Sequence, residues 1–275
     1  MWALKLLLIP LVAYLAILAL IYFAQTSLLF PARLAGPTSA AVPPSAATLT
    51  LRTPDGERLH GLHLPPVRTG GERLVILGFG GNAWNAAAAA HYLHGLYPGA
   101  DVVVFHYRGY APSSGRPSAA AVLADAPLIY DLVRERLGSD RIVAVGFSIG
   151  SGVAAHLASR RKLRGLILVT PFDSLVEVAR TQYPWLPVRL LFRHPMTPAD
   201  DLRGSATPTA IVAAGNDTLI SAARTDGLRM SVPNLAFDRT IPGAGHNDLY
   251  DRPEFRLAMG EALLSVSPSN QDPAS

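Results

Sequence analysis

The sequence predicts an α/β domain, a mostly parallel sheet of about eight strands with helices on both faces, carried behind one apolar N-terminal helix. Three observations predict it. Short apolar runs such as Leu74-Val75-Ile76-Leu77 and Val102-Val103-Val104-Phe105 have the unbroken hydrophobicity of strands buried on both faces. Longer Ala- and Leu-rich stretches alternate with these runs, and strand–helix alternation implies parallel strands joined by right-handed crossovers. Residues 1–24 are apolar throughout except for Lys5 and Pro10.

As a helix, residues 6–24 span about 28 Å at about 1.5 Å per residue, close to the thickness of a bilayer's hydrocarbon core. A cleaved secretory signal has a shorter apolar region and ends in a small-x-small site; Ile21-Tyr22-Phe23-Ala24 is too bulky for one. A transmembrane anchor over residues 1–24 is therefore expected, with Trp2 at one water boundary and Tyr22 and Phe23 at the other. Lys5 on the short N-terminal flank, against Arg33 on the far side, predicts a cytoplasmic N-terminus and a domain on the non-cytoplasmic side. Residues 25–47 read as a juxtamembrane segment and linker, rich in Pro, Ala and Ser over 36–47.

Strands are expected at 48–52, 58–64, 73–79, 101–106, 141–147, 165–170, 209–214 and 235–241. The first two form an antiparallel hairpin across Pro54-Asp55-Gly56, a strong turn sequence. Helices are expected at 83–96, 118–137, 149–159 and 255–265. Residues 180–201, with Pro184, Pro187, Pro195 and Pro198, interrupt the alternation and read as a short lid-like insertion over the sheet edge. The domain then covers 48–267, and the polar residues 268–275 read as a disordered tail.

The chain has 275 residues, 16% of them charged, and no cysteine. That length suits one globular domain once the anchor is set aside. Zero cysteines excludes a disulfide scaffold, a zinc–thiolate site, an iron–sulfur cluster and a cysteine nucleophile. The formal net charge is +4, but its largest cluster, Arg160, Arg161, Lys162 and Arg164, falls in a connection between elements. It reads as a solvated loop, and no nucleic-acid partner is implied.

Gly146-Phe147-Ser148-Ile149-Gly150 matches the G-x-S-x-G elbow, directly after an apolar run and directly before a helix-like stretch, the strand–turn–helix setting the motif requires. A sharp turn there exposes the Ser148 hydroxyl at the sheet's carboxyl edge, beside a helix N-terminus that favours a developing anion. A serine hydroxyl needs a base, and the base needs a third group to fix its tautomer. The chain supplies Ser148, Asp217 and His246 in the order nucleophile, acid, base, with Asp217 and His246 each just past a strand. Asp173 also follows a strand and is the main rival acid, while Asp248 is expected to support the His246 loop. The oxyanion hole needs one amide from the residue after the nucleophile, Ile149, and one from the loop after an earlier strand. Gly80-Gly81-Asn82 supplies the second, with Asn82 the choice and Gly81 the runner-up. His91 and His94 sit three apart on one helix but lack a third ligand, and His60, His63, His106, His156 and His194 have no partner pattern. No metal or cofactor is implied.

Together with these residues, QTSLLFP at 25–31, YRGYAPSSGRPS at 107–118, TPFDSL at 170–175, GNDTLI at 215–220 and GHNDL at 245–249 resemble the motifs of a known group. It is the single-pass, membrane-anchored branch of the α/β-hydrolases, which includes the animal protein depalmitoylases and bacterial relatives. The resemblance covers nearly the whole chain and implies the α/β-hydrolase fold and hydrolysis of an ester, thioester or amide. The chain departs from the group at Gly80, where His is usual, at His106, where Asp is usual, and at Ala111, where Gly is usual. The expected activity is a membrane-anchored serine hydrolase acting on an ester or thioester, such as a lipid-like ester or an acylated protein. The same residues would serve an amidase or peptidase. The non-enzyme alternative is a membrane-anchored binding protein that lost catalysis, against which the intact Ser148, Asp217 and His246 count.

Overall fold

The computed structural model describes residues 2–36, 45–67 and 73–268. Most of the expected linker, and the expected tail beyond residue 268, lie outside the described residues. Eight strands form one sheet: β1 (Ala47–Arg52), β2 (Arg58–Leu64), β3 (Val75–Phe79), β4 (Asp101–Phe105), β5 (Ile142–Phe147), β6 (Gly165–Val169), β7 (Thr209–Ala214) and β8 (Leu235–Ile241). Their order is β1-β2-β4-β3-β5-β6-β7-β8. The β1–β2 and β2–β4 pairs are antiparallel and every later pair is parallel. The hairpin between β1 and β2 turns at Gly56, whose φ of 92° suits glycine. Arg108 pairs with Asp55 in that turn, and this hydrogen bond holds the Asp55 carboxyl down at about 2.

Side-chain alternation along the central strands sorts the core into two layers. Ile142 and Ala144 of β5, with Leu166 and Leu168 of β6, face one layer, which is covered by α3 (Ala119–Leu137) and α4 (Ile149–Arg160). Val143, Val145 and Phe147, with Ile167 and Val169, face the other, which is covered by α2 (Ala86–Leu96) and α9 (Pro253–Val266). Local capping sets the helix limits. The Asn85 side chain accepts from Ala87 N–H, so α2 starts at Ala86 rather than at 83. The Ser118 side chain accepts from Ala121 N–H at the start of α3, and Gly138 ends it in the left-handed region.

The N-terminal helix α1 (Trp2–Leu29) runs past Ala24, and it stops just ahead of Pro31, where helical backbone is disfavoured. Residues 8–29 are long and apolar enough to cross a membrane. Between β6 and β7 the structure adds α5 (Leu175–Gln182), α6 (Val188–Leu191) and α7 (Pro198–Leu202), and after β7 comes α8 (Ala222–Arg229). The sequence reading did not resolve these four. The segment at 180–201 thus carries the end of α5 and two short helices. It leaves β6, an interior strand, and α7 returns to pack on α4.

Candidate active site

Ser148 joins β5 to α4 with φ 52° and ψ −119°, a positive-φ conformation that a non-glycine residue holds only under constraint. Two glycines supply that constraint. A Cβ on Gly146 would stand 2.4 Å from the Gly150 carbonyl oxygen, and one on Gly150 would stand 2.2 Å from that of Phe79. The first turn of α4 therefore presses directly on the end of β3. The Ser151 hydroxyl donates to the Ser148 carbonyl at 2.6 Å and closes the turn. Beneath it, Phe147 packs against Trp84 with ring centroids 5.0 Å apart.

The loops after β7 and β8 meet at this elbow. His246 Nε2 lies 3.0 Å from Ser148 Oγ, and its Nδ1 lies 2.7 Å from Asp217 Oδ2. The other Asp217 oxygen accepts from Leu219 and Ile220 N–H at 2.9 and 2.8 Å. Both side chains are nearly buried, His246 at 10% and Asp217 at 4% exposure. Asn216 N–H donates to the Ala244 carbonyl at 2.7 Å, which ties the two loops together. Asp248 accepts from Gly245 N–H and pairs with Arg252, bracing the His246 loop. Asp173 is engaged elsewhere: it accepts from Ser174 N–H and pairs with Arg224 of α8 at 3.0 Å, and burial pushes its carboxyl up.

The loop at Gly80-Gly81-Asn82 borders Ser148, since a Cβ on Gly81 would lie 3.9 Å from that of Ser148. Three hydrogen bonds set its peptide planes. Tyr107 OH donates to the Gly80 carbonyl at 2.8 Å, Tyr110 OH to the Asn82 carbonyl at 2.6 Å, and Trp84 N–H to the Gly81 carbonyl at 3.2 Å. In a trans peptide the N–H points opposite to the carbonyl, so holding the Gly80 and Gly81 carbonyls aims the N–H groups of Gly81 and Asn82. Burial pushes both phenols well above their usual range, which keeps them as donors. Sequence reasoning missed Tyr107 and Tyr110 in this role. A side chain at position 80 would meet Trp84 Cβ at 3.2 Å. The amide of Ile149 opens α4, where the first N–H groups have no intrahelical acceptor.

Other candidates lie apart. His94 Nε2 is 2.9 Å from the Pro65 carbonyl, and the described residues hold no group of three metal-ligating side chains. In the basic cluster, Arg161 pairs with Asp131 and Arg164 donates to the Pro268 carbonyl. These residues line a surface depression with Asp200 and Asp201, at the opposite end of the strands from Ser148. The acids among them give it a mixed charge rather than a basic patch.

A serine on a strand–turn–helix elbow, hydrogen-bonded to a histidine and through it to an acid at the carboxyl ends of parallel strands, defines a class of α/β enzyme. The family model described as alpha/beta hydrolase fold matches residues 74–195. The chain is 33% identical over 251 residues to an uncharacterized protein of Mycobacterium tuberculosis, covering 87% of this chain and 88% of that one. It is 32% identical over 199 residues to the lysophosphatidylserine lipase ABHD12 of Danio rerio, covering 62% of this chain and 52% of the lipase. The chain thus spans about half the length of that relative. Two solved structures share the fold at 17% identity. An esterase of Pyrococcus furiosus gives a TM-score of 0.65 and covers 83% of this chain and 95% of its own. A putative hydrolase from Agrobacterium vitis S4 gives 0.62, with 82% and 99% covered. The chain belongs to the alpha/beta-hydrolase superfamily.

Proposed function

We propose that this chain is a membrane-anchored serine hydrolase that cleaves a carboxylic ester or thioester through an acyl-enzyme on Ser148. The observation that carries this reading is the hydrogen-bonded chain from Ser148 through His246 to Asp217. An ionised carboxylate only accepts, so Nδ1 of His246 carries the proton toward Asp217 and Nε2 presents its lone pair to Ser148. His246 takes the Ser148 proton as Oγ attacks the substrate carbonyl. The amides of Ile149 and of Asn82, or Gly81 in its place, receive the oxyanion; one such donor is worth about 10²–10³ in rate. Collapse expels the alcohol or thiol, which takes the proton back from His246. Water then enters and loses a proton to His246 as it attacks the acyl carbonyl; collapse breaks the bond to Ser148, whose Oγ takes that proton back from His246, and the acid leaves. Asp217 stays ionised throughout and stabilises the imidazolium.

The substrate class follows from where the site is held. An anchor over α1 keeps it at a membrane surface, the named lipase relative acts on a lysophospholipid ester, and the depalmitoylase resemblance points to a thioester of a long acyl chain. Both carry a carbonyl at the head of a long acyl chain. Fluorophosphonate labelling of the full chain tests the nucleophile: the native protein is expected to label, and Ser148→Ala and His246→Ala are expected not to. Labelling that survives Ser148→Ala, or none in the native protein, overturns the reading. Turnover rising from short to long acyl esters is expected, and a flat series removes the lipid-like substrate.

A further inference from the structure

One face of α1 lies along the segment between α5 and α7. The Tyr14 hydroxyl donates to the Trp185 carbonyl at 3.0 Å. Gln25 donates to the Leu191 carbonyl at 3.0 Å and accepts from Arg193 N–H at 2.8 Å. The Arg193 guanidinium sits 5.1 Å from the centre of the Tyr22 ring. Tyr14, Leu18, Tyr22 and Gln25 recur at helical spacing on one stripe, and Leu18 and Tyr22 are half-buried while Leu11, Val12, Leu15, Ile17 and Leu20 stay exposed.

Helix arithmetic places this contact. A guanidinium belongs at the water boundary, which sets Tyr22 and Arg193 there. The helix from Trp2 to Tyr22 then spans about 30 Å at about 1.5 Å per residue, the thickness of the hydrocarbon core. Tyr14 stands about 12 Å inside that boundary by the same rise, and it holds the carbonyl of Trp185. Backbone at such depth needs its polar groups satisfied. Tyr14 caps the Trp185 carbonyl, Leu186 N–H donates to the Tyr183 carbonyl, and Val188 N–H to that of Leu186. Pro184 and Pro187 bring no N–H at all. The side chains at the turn are apolar and exposed: Trp185 at 54% and, further on, Leu190 at 85%.

We infer that residues 183–190 form a second membrane contact, a re-entrant turn that enters the acyl-chain layer beside α1. This rests on the reading of α1 as a membrane-spanning helix. Arg189 and Arg193 stand beside Leu190 and Gln25, level with the headgroups. Gln182, one residue before the turn, donates to the carbonyls of Thr218 and Leu219 in the loop that carries Asp217. The turn thereby joins the rim of the site to the bilayer, where a long acyl chain already lies.

The chain has no cysteine, so single cysteines report without a background. Leu11→Cys, Trp185→Cys, Leu190→Cys and Met230→Cys, each in the full chain in phosphatidylcholine vesicles, are coupled to an environment-sensitive fluorophore. Quenching by nitroxides on the lipid acyl chains is compared with quenching by aqueous iodide. Met230, 85% exposed at the end of α8, is the aqueous reference. The label at 185 is expected to be quenched several-fold more by the lipid nitroxide than the label at 230, shielded from iodide, and deeper than the label at 190. Lipid quenching at 11 with an aqueous response at 185 overturns the re-entrant turn and leaves the anchor standing. An aqueous response at 11 overturns the anchor reading and the turn with it.

Discussion

The Tyr110 hydroxyl donates to the Asn82 carbonyl at 2.6 Å, reaching across from the loop after β4 to the loop that flanks Ser148. Removing the hydroxyl leaves that carbonyl short of a partner, a loss of about 1–2 kcal/mol for a buried group. That carbonyl belongs to Asn82, whose own N–H receives the oxyanion in the proposed mechanism, so a displaced Asn82 puts the loss on the transition state. Tyr110→Phe is expected to lower kcat about 10-fold, 1.4 kcal/mol being a factor of ten, with KM nearly unchanged. A rise in KM at constant kcat would show that the tyrosine shapes substrate binding instead.

The two acids near the sheet's carboxyl edge separate by their partners. Asp217 meets His246, whereas Asp173 meets Arg224 and Ser174 N–H. Asp217→Asn keeps the shape but presents the wrong tautomer to His246, so kcat is expected to fall by about 10⁴. Asp173→Asn is expected to leave kcat within a few-fold and to lower the melting temperature, since it removes the nearer of Arg224's two acidic partners, leaving Glu177 at 4.0 Å. Steady-state kinetics and thermal denaturation of both variants read the distinction. Comparable losses of kcat in the two would return Asp173 to contention.

What was legible in the sequence had a local pattern. The eight strands were visible because five- to seven-residue apolar or alternating runs are how a sheet is written. Ser148, Asp217 and His246 stood out because each follows such a run at the same end. Tyr107 and Tyr110 did not, since their hydroxyls reach carbonyls 27 and 28 residues away and no periodicity encodes that. The four added helices escaped for a different reason. In α5 only Leu175 and Val178 are buried, α6 has four residues, and α8 contains Gly227 in a mostly polar stretch. None repeats an apolar stripe long enough to be seen. The end of α1 was misjudged because Gln25 looks like the start of a polar connection, while the fold buries it against Leu191 and Arg193.

His106 is expected to give the protein a specific acid sensitivity. It takes the position where the resembling group has Asp, its backbone N–H donates to the His60 carbonyl, and burial, with His60 adding, pushes its imidazole down to about 4. The unfolded chain protonates near about 6.5. Between those values the unfolded state binds a proton that the folded state refuses, so stability falls as pH falls through this window and levels off below about 4. Asp55 and Asp101, each held at about 2, lose their contribution only at lower pH. Melting temperatures in detergent are expected to drop from pH 7 to pH 5, and His106→Asn is expected to flatten that slope. An unchanged slope would assign the loss to another group, with His194, also pushed down by burial, the next to test.

Two glycine-to-alanine substitutions are expected to move stability in opposite directions. On Gly150 the new Cβ meets the Phe79 and Gly80 carbonyl oxygens at 2.2 and 2.5 Å, both backbone atoms that cannot swing aside. The elbow must then part from β3, at a cost of about 3 kcal/mol or more by the standard of overpacked cores, and Ser148 shifts with it. Gly260 lies inside α9 with nothing within 4 Å of its added Cβ. There alanine removes backbone entropy from the unfolded chain and adds helix propensity, a gain of about 0.5–1 kcal/mol, or about 2 °C in melting temperature for a domain of this size. Thermal denaturation of the pair beside the native chain checks both signs. A tolerated Gly150→Ala with full fluorophosphonate labelling would mean that the serine's positive φ does not depend on this close approach.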